Sequence, residues 1–166
     1  MNQLLPLFIA LPMLGAFLAL PLRRHSAWIA VVISSLLLIA SVVLYAARPY
    51  NNLLLYHLGG FGIPSGISLV LDGLSHLVLL MISLAAFASA VYSVAYMEKY
   101  SGKSRYFSLL MLMIAGMNGA VLTGDLFNLF VFLELAALSS AALVAFGTEA
   151  EEMEAAFKYL MIGSIA

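Results

Sequence analysis

The sequence has no cysteine and little charge of either sign. Only 9% of its 166 residues are Asp, Glu, Lys or Arg, where a soluble domain carries about 25%. The first absence excludes disulfides and thiolate-bound metals, and it leaves the redox compartment unread. A net charge of −1 offers no electrostatic footprint for nucleic acid. No nucleotide-binding motif occurs, so no iron–sulfur, flavin or other cofactor is expected. A metal site is not expected either, because only one His and one Asp stand close together. The long runs show no strict apolar–polar alternation, which argues against membrane-crossing strands. What is present is apolar: 64% of the chain. These features define an integral membrane protein, without a soluble domain.

The apolar residues gather into spans at about Leu4–Leu22, Ala27–Ala47, Ile67–Ala95, Tyr106–Leu122 and Leu126–Phe146. Each is long enough to cross a bilayer core, which needs roughly 20 helical residues within a range of about 17–25, and the third is long enough to tilt or project. The first span is read as a retained helix and not a signal peptide, because Arg23 and Arg24 follow it instead of preceding it. Arg23, Arg24, Lys99, Lys103 and Arg105 fall on one side and Arg48 alone on the other. The basic side should be cytoplasmic, with the N-terminus outside. Between Arg48 and Gly66 the Asn, Gly and Pro content reads as turns, and "LLLYHL" as a short strand or an interfacial piece. Gly147 follows the fifth span as a left-handed helix stop would.

A sixth helix should begin near Glu151 or Met153. The 12 residues from Ala155 to Ala166 rise about 18 Å, less than a bilayer core of about 30 Å. The expectation is a fragment of a longer protein, a second chain that supplies the remaining helices, or a re-entrant end enclosed by protein. The architecture is thus all-α: one transmembrane helical domain over residues 1–166, with five spanning helices and the start of a sixth.

Within "LFVFLELAALSS" stands one acid, Glu134, near the middle of the fifth span. An acid at that depth costs about 2.5–3.5 kcal/mol on insertion scales, so it must face protein or water. Desolvation favours a neutral carboxyl and a neighbouring cation favours an ionised one; held between the two, a carboxyl can take up and release protons. The alternative is a structural hydrogen bond between helices. The small residues that follow, from Ala136 to Ala142, suit a packed interior. Asn118, flanked by Gly116 and Gly119, reads first as an interhelical hydrogen bond and second as a group that holds water. Asp72 and His76, four apart, share a helix face and form either a titratable pair or, for Asp72, a cap at the membrane interface. Asp125 reads as an N-cap. Lys158 either snorkels to the surface or joins a proton relay. It enters the membrane too shallowly to reach Glu134, whose partner cation should come from other sequence. His25 and His57 lie in connections and need no function. The run "EAEEMEAA" reads as a solvated helix start.

"GISLVLDGLSHLVLL", "YMEKYSGKSRYFSLLMLMIAGMNGAVLTGDLFNLFVFLELAALSSAALVAF" and "EAAFKYLMIGS" together resemble the antiporter-like subunits of complex I. Related proteins occur in Mrp cation/proton antiporters and in membrane-bound energy-converting hydrogenases, and the likeness points to the D-type polypeptide of Mrp systems or to chain N of the NADH:quinone oxidoreductase. The resemblance covers the chain from about Gly66 onward, and the acid in "LFNLFVFLEL" is its most specific element. It implies a longer polypeptide built on inverted helical repeats, in which a fifth-helix glutamate pairs with a seventh-helix lysine to move protons. Glu134 matches that glutamate. The lysine has no counterpart here; Lys158 matches a different "KY" in the sixth helix.

The function expected is therefore proton, or cation/proton, translocation within a multi-subunit complex of the cell membrane, with Glu134 as proton carrier. Sodium and potassium remain open as the exchanged ion, and any redox chemistry belongs to partner subunits. The competing expectation is a membrane scaffold that anchors partners and moves no ion. A lipid-modifying enzyme would need clustered catalytic groups near one interface, and none is seen.

Overall fold

Proline sets the limits of the first helix. In the computed structural model, which describes residues 4–47, 53–60, 66–147 and 149–165, α1 (Leu7–Ala19) starts directly after Pro6 and stops just short of Pro21. Its 13 residues rise about 20 Å, so this helix is shorter than the span expected from Leu4 to Leu22. α2 (Ser26–Ala46) follows. Next come two short strands, β1 (Leu54–His57) and β2 (Ser68–Leu71). Then come α3 (Gly73–Tyr96), a 3-10 turn over Met97–Lys99, α4 (Lys103–Leu122), α5 (Leu126–Val144) and α6 (Ala150–Ile165). α2, α3 with its terminal turn, α4 and α5 are long and apolar enough to cross a membrane; α1 is apolar but shorter.

The chain is mostly helical, in keeping with the all-α expectation, and one small hairpin is added to it. β1 and β2 pair antiparallel, with Leu54 opposite Leu71 and His57 opposite Ser68. "LLLYHL" thus contains a strand. Residues 68–71, which hydropathy assigns to the third span, are its partner, and α3 starts only at Gly73. β2 also reaches the turn between α4 and α5: Gly124 N–H donates to the Ser68 carbonyl at 2.9 Å, and Leu69 bridges to Thr123. The hairpin therefore ties one end of the bundle by backbone hydrogen bonds. The turns expected around Pro49, Asn51 and Asn52, and the isolated Arg48, lie outside the described residues.

Helix packing follows small residues at helical spacing. α2 buries Ala30, Ser34, Leu37, Ser41 and Leu44. Its neighbour α3 buries Leu79, Ser83, Ala86, Ala90 and Ser93. α4 is the central helix: 56% of its spanning window is buried, against 17% for α5. It packs against α1, α2, α3 and α5.

The α4–α5 contact is the closest. A Cβ on Gly116 would stand 2.7 Å from the Ala136 backbone nitrogen and 2.9 Å from the Phe132 carbonyl. Neither atom can rotate away, so only a residue without Cβ fits. Gly147, by contrast, is not the left-handed stop expected; the left-handed glycines among the described residues are Gly59, Gly60 and Gly102. A Cβ at Gly147 would meet the Glu152 carboxylate, the far end of a flexible side chain that can swing aside.

Gly116→Ala should lower the unfolding free energy in detergent by about 1–3 kcal/mol, as overpacking does. Gly163→Ala, at a helix position with nothing within 4 Å of the added carbon, should cost no stability. Thermal unfolding of the two variants side by side checks the pair.

Candidate functional site

The Gly116 contact fixes which way α5 faces. Phe132 and Ala136 point at α4. At about 100° per residue, Glu134 lies about 180° from the midpoint of those two. It is accordingly exposed, among Phe130, Val131 and Leu138, which are exposed as well. The described helices alone do not bury this carboxylate, and no ion pair reaches it among the described residues.

That face is not bare along its whole length. Leu138, Ala141 and Ala145, all within about 40° of Glu134 around the helix, line a shared cavity with Ala156 and Leu160 of α6. Ser140 Oγ and Tyr159 OH are 3.2 Å apart across the same pair of helices. α6 thus packs along the Glu134 face of α5 at Leu138, Ala141 and Ala145. Lys158 lies on the far side of α6 from this seam. It is exposed and paired with Glu154 four residues earlier.

Asn118 sits on the opposite flank of α4, fully buried, and Pro12 explains its partner. Pro12 lies inside α1 and has no N–H, so the Phe8 carbonyl four residues back loses its usual helical donor. Asn118 Nδ2 supplies the bond instead, at 2.8 Å. Ser108 Oγ makes a second link, donating to the Ala16 carbonyl at 2.9 Å. The interhelical reading of Asn118 is what the geometry shows. Its Oδ1 is buried without a partner among the described residues. The signal for this link was in the sequence, as a proline inside one span and an amide inside another, but nothing in the sequence pairs them.

Asp72 and His76 turn to different partners. Asp72 is the N-cap of α3 and accepts from the Ser75 N–H at 2.7 Å. That bond holds its carboxyl below the usual carboxylate range. His76 reaches across to α2, with Nε2 3.3 Å from the Ser41 carbonyl and its ring edge-on to Tyr45 at 5.4 Å. Asp125 caps α5, accepting from the Phe127 N–H at 3.2 Å. His25 and His57 are exposed.

This arrangement of apolar helices around a small-residue core has known counterparts. The profile of the family described as NADH-Ubiquinone oxidoreductase (complex I), chain 5 N-terminus, matches residues 58–107. The chain belongs to the antiporter-like membrane proteins of complex I and of Mrp antiporters, and corresponds to their N-terminal part. The N-type polypeptide of the NADH-quinone oxidoreductase of Desulforudis audaxviator is 34% identical over 98% of this chain and 32% of its own. The D-type polypeptide of a probable K(+)/H(+) antiporter of Rhizobium meliloti is 33% identical over 100% and 32%. Among solved structures, the archaeal membrane-bound sulfane sulfur reductase, a respiratory membrane complex, superposes with a TM-score of 0.86 at 30% identity, over 98% of this chain and 34% of that one. The chain spans about a third of the length of these relatives.

Two outcomes follow from the polar links. Asn118→Ala should destabilise the fold by about 1–3 kcal/mol, because a buried carbonyl loses its donor. Adding Pro12→Ala, which returns an N–H to the Phe8 carbonyl, should recover part of that loss; a double-mutant cycle in detergent reads the coupling. For Asp72, the folded-state proton affinity is lowered. Its capping contribution is therefore complete above the ordinary carboxylate range and is lost as pH falls through the lower folded value. Asp72→Asn should keep the cap and remove that acid dependence, as followed by amide exchange at Ser75.

Proposed function

We propose that this chain forms part of a proton- or cation/proton-translocating membrane subunit in a multi-subunit complex, and that Glu134 carries the proton. The observation that supports the reading is the position of this acid, midway along α5 on the face that α6 begins to cover. A carboxyl left among acyl chains at that depth is costly. Further protein over the same face removes that cost and supplies a cation that tunes proton uptake. The relatives point the same way: one is called part of a probable K(+)/H(+) antiporter. In this reading the basic ends of the helices face the cytoplasm of the cell membrane, with the N-terminus outside. Protons are the transported species, sodium or potassium the candidate counter-ions, and other membrane subunits the partners.

Asp72, His76, Asn118 and Lys158 have structural partners and are assigned supporting roles. The exposure of Glu134, without an ion pair among the described residues, also suits a scaffold that moves no ion. One substitution separates the two readings. Glu134→Gln keeps size and removes the titrating group. In the assembled complex, reconstituted in vesicles with a pH-sensitive dye, proton movement should fall by about a hundredfold or more, the low end for losing one proton-transfer group. Assembly should be intact by size-exclusion chromatography. Unchanged proton movement would leave the scaffold.

A further inference from the structure

Where α1, α3 and α4 end on the basic side, the structure contains an open cavity of about 630 Å³. Arg23, Tyr100, Gly102, Lys103, Ser104 and Arg105 line it, and no carboxylate does. Arg23, Lys103 and Arg105 form no ion pair among the described residues. The cavity also opens on the N-terminus of α4, a 20-residue helix. Its N-cap is Gly102, in the left-handed conformation, so no side chain caps the first turn. That turn has no acid and instead carries Lys103 and Arg105.

This is the reverse of what a helix prefers. The N-terminal end of a helix has free N–H groups and a partial positive charge, and acids are favoured there. Here the cations Lys103 and Arg105 are added to it, and the Arg105 guanidinium folds back to 3.4 Å from where a Cβ of Gly102 would stand. Ser104 supplies an independent sign. It is only 8% exposed, it lines the cavity, and its hydroxyl has no hydrogen-bond partner among the described residues. The hydroxyl itself is not sealed in the protein and opens onto the cavity. An anion seated in the cavity would accept from that hydroxyl and from the N–H groups at the very start of the helix, and it would offset part of the charge of the three cations.

The geometry points to a binding site for a phosphate group, and its setting points to the phosphodiester of an anionic phospholipid as the source. Leu20, at the end of α1, also lines the cavity and is 45% exposed, as is Leu22. A phosphate held here would thus leave its acyl chains beside apolar helix surface. Basic pockets between helix ends at the cytoplasmic surface suit such headgroups. The site is separate from Glu134 and does not rest on the proton-carrier reading.

The test uses the full chain purified in a neutral detergent. Native mass spectrometry counts bound phosphatidylglycerol, phosphatidylcholine and inorganic phosphate in parallel titrations. Phosphatidylglycerol should be retained several-fold better than phosphatidylcholine. Arg23→Gln and Lys103→Gln should each weaken it about fivefold, the scale of one basic residue near an anionic surface. Lys103→Arg should keep it, and Ser104→Ala should weaken it without a loss of helicity by circular dichroism. If millimolar inorganic phosphate binds alone and displaces the lipid, the same site takes free phosphate. Equal retention of the two lipids with no phosphate bound would overturn the proposal. So would retention that ignores the Arg23 and Lys103 substitutions, or an acidic protein segment crosslinking to Lys103 in place of lipid.

Discussion

The backbone contact between α4 and α5 at Gly116 governs the rest of this structure. Two helices that touch through main-chain atoms have no freedom to rotate about their axes, because any rotation drives a Cβ into the neighbouring backbone. With Phe132 and Ala136 locked against α4, every other side chain of α5 has an assigned direction. Glu134 is set opposite α4, and the stripe of Leu138, Ala141 and Ala145 that receives α6 lies on the same side as the acid. The direction of the carboxylate on α5 is therefore a consequence of a glycine on the preceding helix.

α4 can serve as the reference for its neighbours because it is held on its other flank by polar bonds of a particular kind. α1 is short, and Pro12 removes one of its internal hydrogen bonds. That defect is turned into an attachment point: the freed Phe8 carbonyl takes Asn118, and the Ala16 carbonyl two turns on takes Ser108. In a membrane there is no water to satisfy such a carbonyl, so the bond fixes register as well as contributing stability. Individual interhelical bonds of this kind average about 0.6 kcal/mol, and the stronger effect is to make one sliding position of α1 along α4 better than its neighbours. At the far end the β1–β2 hairpin does the same through Gly124 and Ser68.

Hydropathy located the helices because burial in lipid leaves a simple mark, an uninterrupted apolar run. It failed at residues 68–71 for the same reason: "SLVL" is as apolar as the helix after it, and the strand exists only because Leu54–His57 lies beside it. Asp72 was the local clue, a capping residue at the true start of α3. The caps at Asp72 and Asp125 were legible since they act within three residues of themselves. The direction of Glu134 was not. A run of small residues from Ala136 to Ala142 allows close packing on either side of the helix, and only Gly116, one helix away, decides which. Gly147 misled in another way: a glycine after a helix suggests a left-handed stop, and here the backbone does not take that conformation.

The charges at the two depths of this bundle act separately, and magnitudes show why. Glu134 and Phe146 are 12 residues apart, about 18 Å along α5, and the basic cavity lies at the Phe146 end, beside Arg105. At an effective dielectric of about 20, one cation 18 Å away contributes about 0.9 kcal/mol, against about 4 kcal/mol for one in contact at 4 Å. The cavity cations are also open to water and salt, which screen beyond about 8–10 Å. Three of them together do not equal one neighbouring ammonium. The basic cavity and the Glu134 face are therefore electrostatically separate parts of the bundle, and a substitution in one leaves the field at the other nearly unchanged.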